Sequence, residues 1–133
     1  MKAIVLRELG EPDKLCLEDF PDPQPGPHEV LIRLKAAALN HRDVWIRRGL
    51  YAGIKLPIIL GSDGSGDIVA VGNQVPASWI GKSVIIFPSL NWGPNDQAPG
   101  SAFQILGLPD HGTYAQFIKV PVSNVFPKPD SLT

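Results

Sequence analysis

Cysteine, basic clusters and long apolar runs are what this chain has least of, and each scarcity removes a class of protein. A single cysteine, Cys16, rules out an intrachain disulfide and any cysteine-built zinc cluster. Lysine and arginine number 12 against 13 acidic residues, a net charge of −1 with no basic run. That balance argues against nucleic acid or an anionic membrane as a partner. No apolar stretch approaches the roughly 18 to 20 residues that a membrane helix needs. The opening Met1-Lys2-Ala3-Ile4-Val5-Leu6 is broken by Arg7 and Glu8 too early for a secretory leader. The expectation is a soluble, cytoplasmic protein.

A dinucleotide fingerprint is missing as well. The stretch from Gly61 to Gly72 crowds glycines at 61, 64 and 66 ahead of an apolar strand. Such density signals positive φ angles or a close approach to the backbone. After Gly64 and Gly66, the fingerprint would place its third glycine at position 69, which is Val69. Ile68 to Val71 also continue as strand instead of opening a helix, so no phosphate-cradling loop is expected here.

What the chain has in quantity is punctuation: 14 prolines and 13 glycines among 133 residues favour short strands and turns over long helices. That length can bury one real core, so residues 1–133 are read as one domain. Ala3 to Arg7 reads as a short strand and Gly10 to Asp13 as a turn. Leu15 and Leu17, alternating with polar neighbours, give a half-buried partner strand in a hairpin. Pro21 to Pro27 is a stiff extended connector. Glu29 to Leu39 is the longest strand candidate, with Val30, Ile32, Leu34 and Ala36 on one face. Alanines 36, 37 and 38 leave room for close packing at its end.

Asn40 is a good cap for a helix running from His41 to Arg48 and ended by Gly49. Ile58 to Leu60 is a buried run, and the glycine turn leads to a strand ending at Val71. Val84 to Phe87 and Tyr114 to Val120 are two further strands. Pro88 to Gly112 reads as a long loop, a length usually tied to function or left from something larger. Seven or eight short strands with one or two short helices make a mainly β, partly open barrel or curled sheet.

Two segments join polar side chains to a constrained backbone: Asn40-His41-Arg42-Asp43 at the helix start and Gly61-Ser62-Asp63 in the glycine turn. A helix N-terminus offers free N–H groups, so His41 and Arg42 could meet a phosphate. The plainer reading has Asn40 capping, Asp43 pairing with Arg42 or Arg47, and His41 solvated. His28 and His111 stand in turn-like contexts and read as surface residues.

With Asp110-His111-Gly112-Thr113-Tyr114-Ala115, these segments resemble, in order, the N-terminal catalytic domain of the medium-chain dehydrogenase/reductases. The similarity runs from Met1 to Thr133. It implies a GroES-like β-barrel fold and, in a complete protein, hydride transfer between NADP or NAD and a small carbonyl, enone, quinone or alcohol. The zinc-binding members of the family carry a cysteine at the position of Asn40 and a His-Glu pair at Ser62-Asp63. Zinc prefers thiolate, imidazole and carboxylate, so the replacements imply no catalytic zinc. The family's four-cysteine lobe is replaced by the Pro88–Gly112 loop, which implies no structural zinc.

The resemblance assigns oxyanion donors to Asn40 and Tyr51 and apolar walls to Trp45 and Trp92. Ser62 and Asp63 would line the cleft floor, His41 and Arg42 would face the cofactor, and Asp43 would brace Arg42 or nearby backbone. It also implies that a cofactor-binding Rossmann domain and a returning segment follow this chain, that the chain alone is inactive, and that the complete protein is a homo-oligomer. NADPH is favoured over NADH by the zinc-free members. Two alternatives stand beside this reading: a freestanding GroES-like binding or scaffolding module, and a zinc-dependent alcohol dehydrogenase with unusual ligands.

Overall fold

Branched side chains at every second position build the larger of three antiparallel sheets. The structure, a computed structural model, describes residues 1–133. Strands β3 (Glu29–Ala37), β5 (Gly64–Val71), β6 (Ser83–Ile86), β9 (Phe117–Pro121) and β10 (Val125–Pro127) form this sheet in the order β10-β6-β5-β3-β9. Val30, Ile32, Ile68, Val84, Ile118 and Val120 all face inward and are almost wholly buried, within a cluster of 11 core residues. At about 1.5–3 kcal/mol for each fully buried branched side chain, this layer carries most of the apolar stabilisation.

The hairpin of β1 (Lys2–Leu6) and β2 (Leu15–Asp19) pairs in the register Val5↔Cys16. On the other edge of β1 lies β4 (Ile58–Ile59), so the second sheet runs β2-β1-β4. Helix α1 (His41–Arg47) rests on this sheet through Ile46, which joins Leu6, Ile58, Leu60 and Leu108 in a cluster of five buried residues. No helix is long and apolar enough to cross a membrane.

The mainly β architecture with open sheets matches the expectation, and several details differ. There are ten strands, because two-residue strands carry no pattern a sequence window can detect. The long loop contains one such pair, β7 (Ser89–Leu90) with β8 (Gln104–Ile105). The expected strand from Tyr114 begins at Phe117; residues 112–114 instead bond to the 59–61 segment. Leu17 is exposed, since β2 is an edge strand with nothing against that face.

Strand β3 ends at Ala37, and register shifts after Leu31 and Leu34 break its alternation. Alanines 36 to 38 are exposed, although Ala36 and Ala37 still pair with Ser65 and Gly64 of β5. The shift has a cause in the partner strand. A Cβ on Gly66 would collide with the Arg33 carbonyl, so only glycine lets the two backbones approach there.

Candidate active site

The site is assembled from three segments that meet at the N-terminus of α1. Asn40 is the extended residue before the helix, at φ −122° and ψ 150°, and its N–H donates to Asp43 Oδ2 at 3.0 Å. An acidic residue three positions after the cap reaches back in this way to satisfy a free N–H. Gly49, at φ +76°, ends the helix where an L-residue would be strained. Burial of Ile46 fixes which face of the helix points inward, and this leaves His41 and Trp45 outside.

Asp43 is the hub. Its buried carboxylate also accepts the Gly61 N–H on Oδ1 at 3.1 Å and the Tyr114 hydroxyl on Oδ2 at 2.7 Å. Gly61 lies at φ +97°, and a Cβ there would run into Thr113 and Tyr114. The 112–114 segment completes the clamp: Thr113 N–H donates to Gly61 O at 3.0 Å, and Thr113 Oγ1 to Asp63 O at 2.9 Å. Burial and the Asp43 hydrogen bond both push the Tyr114 hydroxyl pKa upward, so it stays protonated and donating. This clamp sets Asn40 Nδ2 on Asp63 Oδ2 at 2.6 Å.

Arg42 builds a second network beside the first. Its Nε–H donates to the Tyr51 hydroxyl at 3.1 Å, with the guanidinium carbon 5.0 Å from the ring centre. Nη1 donates to Ser62 Oγ at 3.2 Å and to Leu106 O at 3.0 Å; Nη2 reaches Leu108 O at 3.1 Å and Ile105 O at 3.5 Å. Ser62 Oγ itself donates to Leu106 O at 2.8 Å. All five Arg42 N–H groups are thus engaged by neutral oxygens.

The structure therefore joins Asn40, Asp43, Ser62, Asp63, Arg42 and Tyr51 through one set of hydrogen bonds. Asp43 pairs with neither Arg42 nor Arg47; it braces backbone, and Arg47 bonds to Gly10 O and lies 3.8 Å from Glu11. Exposed His41 stacks on Trp45 with centroids 5.3 Å apart, and its ring nitrogens bond to nothing in the chain. Trp92 stands apart, edge-on to Phe103 with its Nε1–H on Asn95 O, and lines neither of the two principal cavities.

The larger cavity, about 610 Å³, lies between the proline connector and β9 and includes none of the candidate residues. The smaller, about 340 Å³, opens beside Arg42 and Tyr51. His111, exposed as expected, also supports the structure, since its Nδ1 accepts the Ile59 N–H at 3.2 Å and Phe20 meets its ring edge-on. Desolvation lowers its pKa, against a smaller upward pull from Asp110. Sequence reading passed over Thr113 and Tyr114 as participants. The only signal available was their place in the motif that follows His111.

Zinc is the metal implied by the fold's dehydrogenase members, and its donor set does not fit here. Nowhere are three His, Cys, Asp or Glu side chains gathered as a metal site would need. At the positions where the zinc-binding members carry cysteine, histidine and glutamate, Asp63 alone is charged, beside the Asn40 amide and the Ser62 hydroxyl.

An open antiparallel barrel with a capped helix set against a glycine turn defines a class, and comparison with known proteins gives its family. The chain belongs to the alcohol dehydrogenase GroES-like domain family, whose model matches residues 26–130. A zinc-type alcohol dehydrogenase-like protein of Schizosaccharomyces pombe is 36% identical over 138 residues, covering 100% of this chain and 39% of the relative. A quinone oxidoreductase of Pseudomonas aeruginosa is 40% identical over 83 residues, covering 62% of this chain and 26% of the relative. A crystal structure of an NAD-dependent alcohol dehydrogenase superposes with a TM-score of 0.93 at 44% identity, covering 100% of this chain and 41% of that one. The chain thus spans well under half the length of each of these proteins.

Proposed function

We propose that this chain forms the substrate-side half of an NAD(P)-dependent oxidoreductase. In the complete protein, hydride would pass to or from a small carbonyl, enone, quinone or alcohol, without zinc. The observation that carries the reading is the clamp holding Asn40 and Asp63 together at the helix N-terminus, in a chain of this family.

The chemistry a bound nicotinamide supplies is the hydride; the chain's own residues govern the oxygen of the substrate. As negative charge develops on that oxygen, hydrogen-bond donors must stabilise it. The Asn40 amide can donate through the proton not given to Asp63, and the Tyr51 hydroxyl through its own proton while it accepts from Arg42. Trp45 is assigned to the apolar wall, with Ser62 and Asp63 on the cleft floor; Trp92, edge-on to Phe103 and outside both cavities, is not.

His41 fits a contact with the cofactor, since its exposed ring is steadied by Trp45 and both nitrogens are free. Arg42, whose N–H groups are engaged, contributes charge to the cleft rather than donors. NADPH is the cofactor favoured, and the complete protein is read as a cytoplasmic homo-oligomer.

The test is oxidation of NADPH by the complete protein with quinones and enones as acceptors. Asn40→Ala should lower kcat by about tenfold or more if the amide acts in the transition state. Unchanged turnover in that variant would remove Asn40 from the mechanism. Stoichiometric zinc lost together with activity on chelation would overturn the zinc-free reading.

A further inference from the structure

The smaller cavity is lined by two cations that form no ion pair in the chain. It is lined by ten residues, among them Arg42, Tyr51, Lys55, Phe103, Gln104 and Leu108, and none of the ten is acidic. Neither Arg42 nor Lys55 takes part in any of the eight ion pairs of the molecule, which join other residues. The carboxylates of Asp43 and Asp63 lie outside the cavity lining, and neither forms an ion pair with Arg42 or Lys55.

Arg42 is held rigidly, because its five N–H groups end on oxygens of three segments, at Tyr51, Ser62 and residues 105–108. All those acceptors are neutral, so its full positive charge remains unpaired at the cavity wall. Lys55 adds a second charge on a flexible stem. The Tyr51 hydroxyl accepts from Arg42 and donates to no group in the chain, which leaves a polarised O–H for a ligand oxygen. Phe103, Leu108 and Pro109 supply apolar walls. A concave site with apolar walls, a few convergent polar groups and charge of one sign recognises a small anion.

We propose that this cavity binds the anionic end of the substrate, so that the preferred acceptor is a small enoate or carbonyl compound bearing a carboxylate or phosphate. This deepens the reductase reading and rests on it for the word substrate; the anion site itself stands on the cavity alone. Two cations facing one anion discriminate it from a neutral molecule of the same shape. Neutral quinones would then be poorer acceptors than acids of similar size.

The test compares crotonate with crotonamide, which share a shape and differ in charge, by titration calorimetry on the protein at its natural length and low ionic strength. Crotonate should bind about tenfold or more tighter than the amide. Lys55→Gln should weaken crotonate several-fold, while Lys82→Gln, whose ammonium lies 4.6 Å over the Trp79 ring and outside the cavity, should not. Equal affinity for acid and amide, no measurable binding of crotonate, or the same loss in both lysine variants would overturn the site.

A second arm uses 2′,5′-ADP, which carries the phosphates of the cofactor. If Lys55→Gln weakens it as much as crotonate, the cavity belongs to the cofactor and the substrate assignment falls. Selective binding of crotonate by a protein that oxidises no reduced nicotinamide would support the cavity and remove the reductase reading, so the two fail separately.

Discussion

The five-stranded sheet and the site beside α1 are ordered by different forces. Under the sheet, 11 buried residues interlock, and order comes from apolar area removed from water. At the site the local cluster has five members, and the candidate side chains are placed by hydrogen bonds to backbone groups far along the chain. The first kind of order is non-directional and tolerates small shifts. The second fixes angles to within a narrow range, and it is the kind a reacting atom needs. The molecule uses bulk burial to stay folded and directed bonds to aim its polar groups.

Three substitutions probe that division, in falling order of effect. Ile32→Ala empties the centre of the large core, where Ile32 is completely buried, and should cost about 2–5 kcal/mol in urea unfolding. A smaller loss than at the site would mean that the sheet is not the main source of stability. Asp43→Asn turns one carboxylate oxygen into an N–H donor, which then opposes the Asn40 or Gly61 N–H. The expected cost is about 1–3 kcal/mol, with a larger relative loss in substrate turnover than in stability. The reverse ordering would make Asp43 a structural residue alone.

His111 gives the smallest effect and a sign. Its folded pKa is depressed by burial, so the unfolded chain binds a proton more readily. Stability then rises with pH across the window below the ordinary histidine pKa, and is lost as pH falls through the folded value. Protonation also removes the acceptor for the Ile59 N–H. In His111→Gln the histidine contribution to this slope should vanish, which urea midpoints measured between mildly acidic and neutral pH would show. An unchanged slope would assign it to the carboxylates.

How much of this was legible beforehand depended on where each partner lay. The hairpin, the Asn40 cap, the helix and the glycine turn are local patterns, and short windows of sequence carry them. The placing of Ser62 and Asp63 against Asn40 came from the family resemblance rather than from spacing. Arg42 was expected to face the cofactor, and its engagement within the chain was not legible, because three of its five acceptors are backbone carbonyls more than 60 residues away and a carbonyl has no residue signature. Tyr114 was missed for a related reason. A tyrosine before a strand looks like packing until the strand is found to start three residues later and its hydroxyl to reach Asp43. The exposed alanines lie beyond a register shift that alternation alone does not reveal.

The hydrogen bonds at the site form a closed circuit. Asp43 holds the Gly61 N–H, Gly61 O holds the Thr113 N–H, and Tyr114, next along the chain, returns its hydroxyl to Asp43. An open chain of contacts loses its far end when any link fails, whereas a circuit with one link cut still connects all its members the other way round. Thermal opening of any one of these three bonds therefore leaves the segments at 43, 61 and 113–114, beside which Asn40 and Asp63 stand, still connected. The geometry that matters for chemistry is in this sense redundant, held twice over in a region where the apolar core is thin.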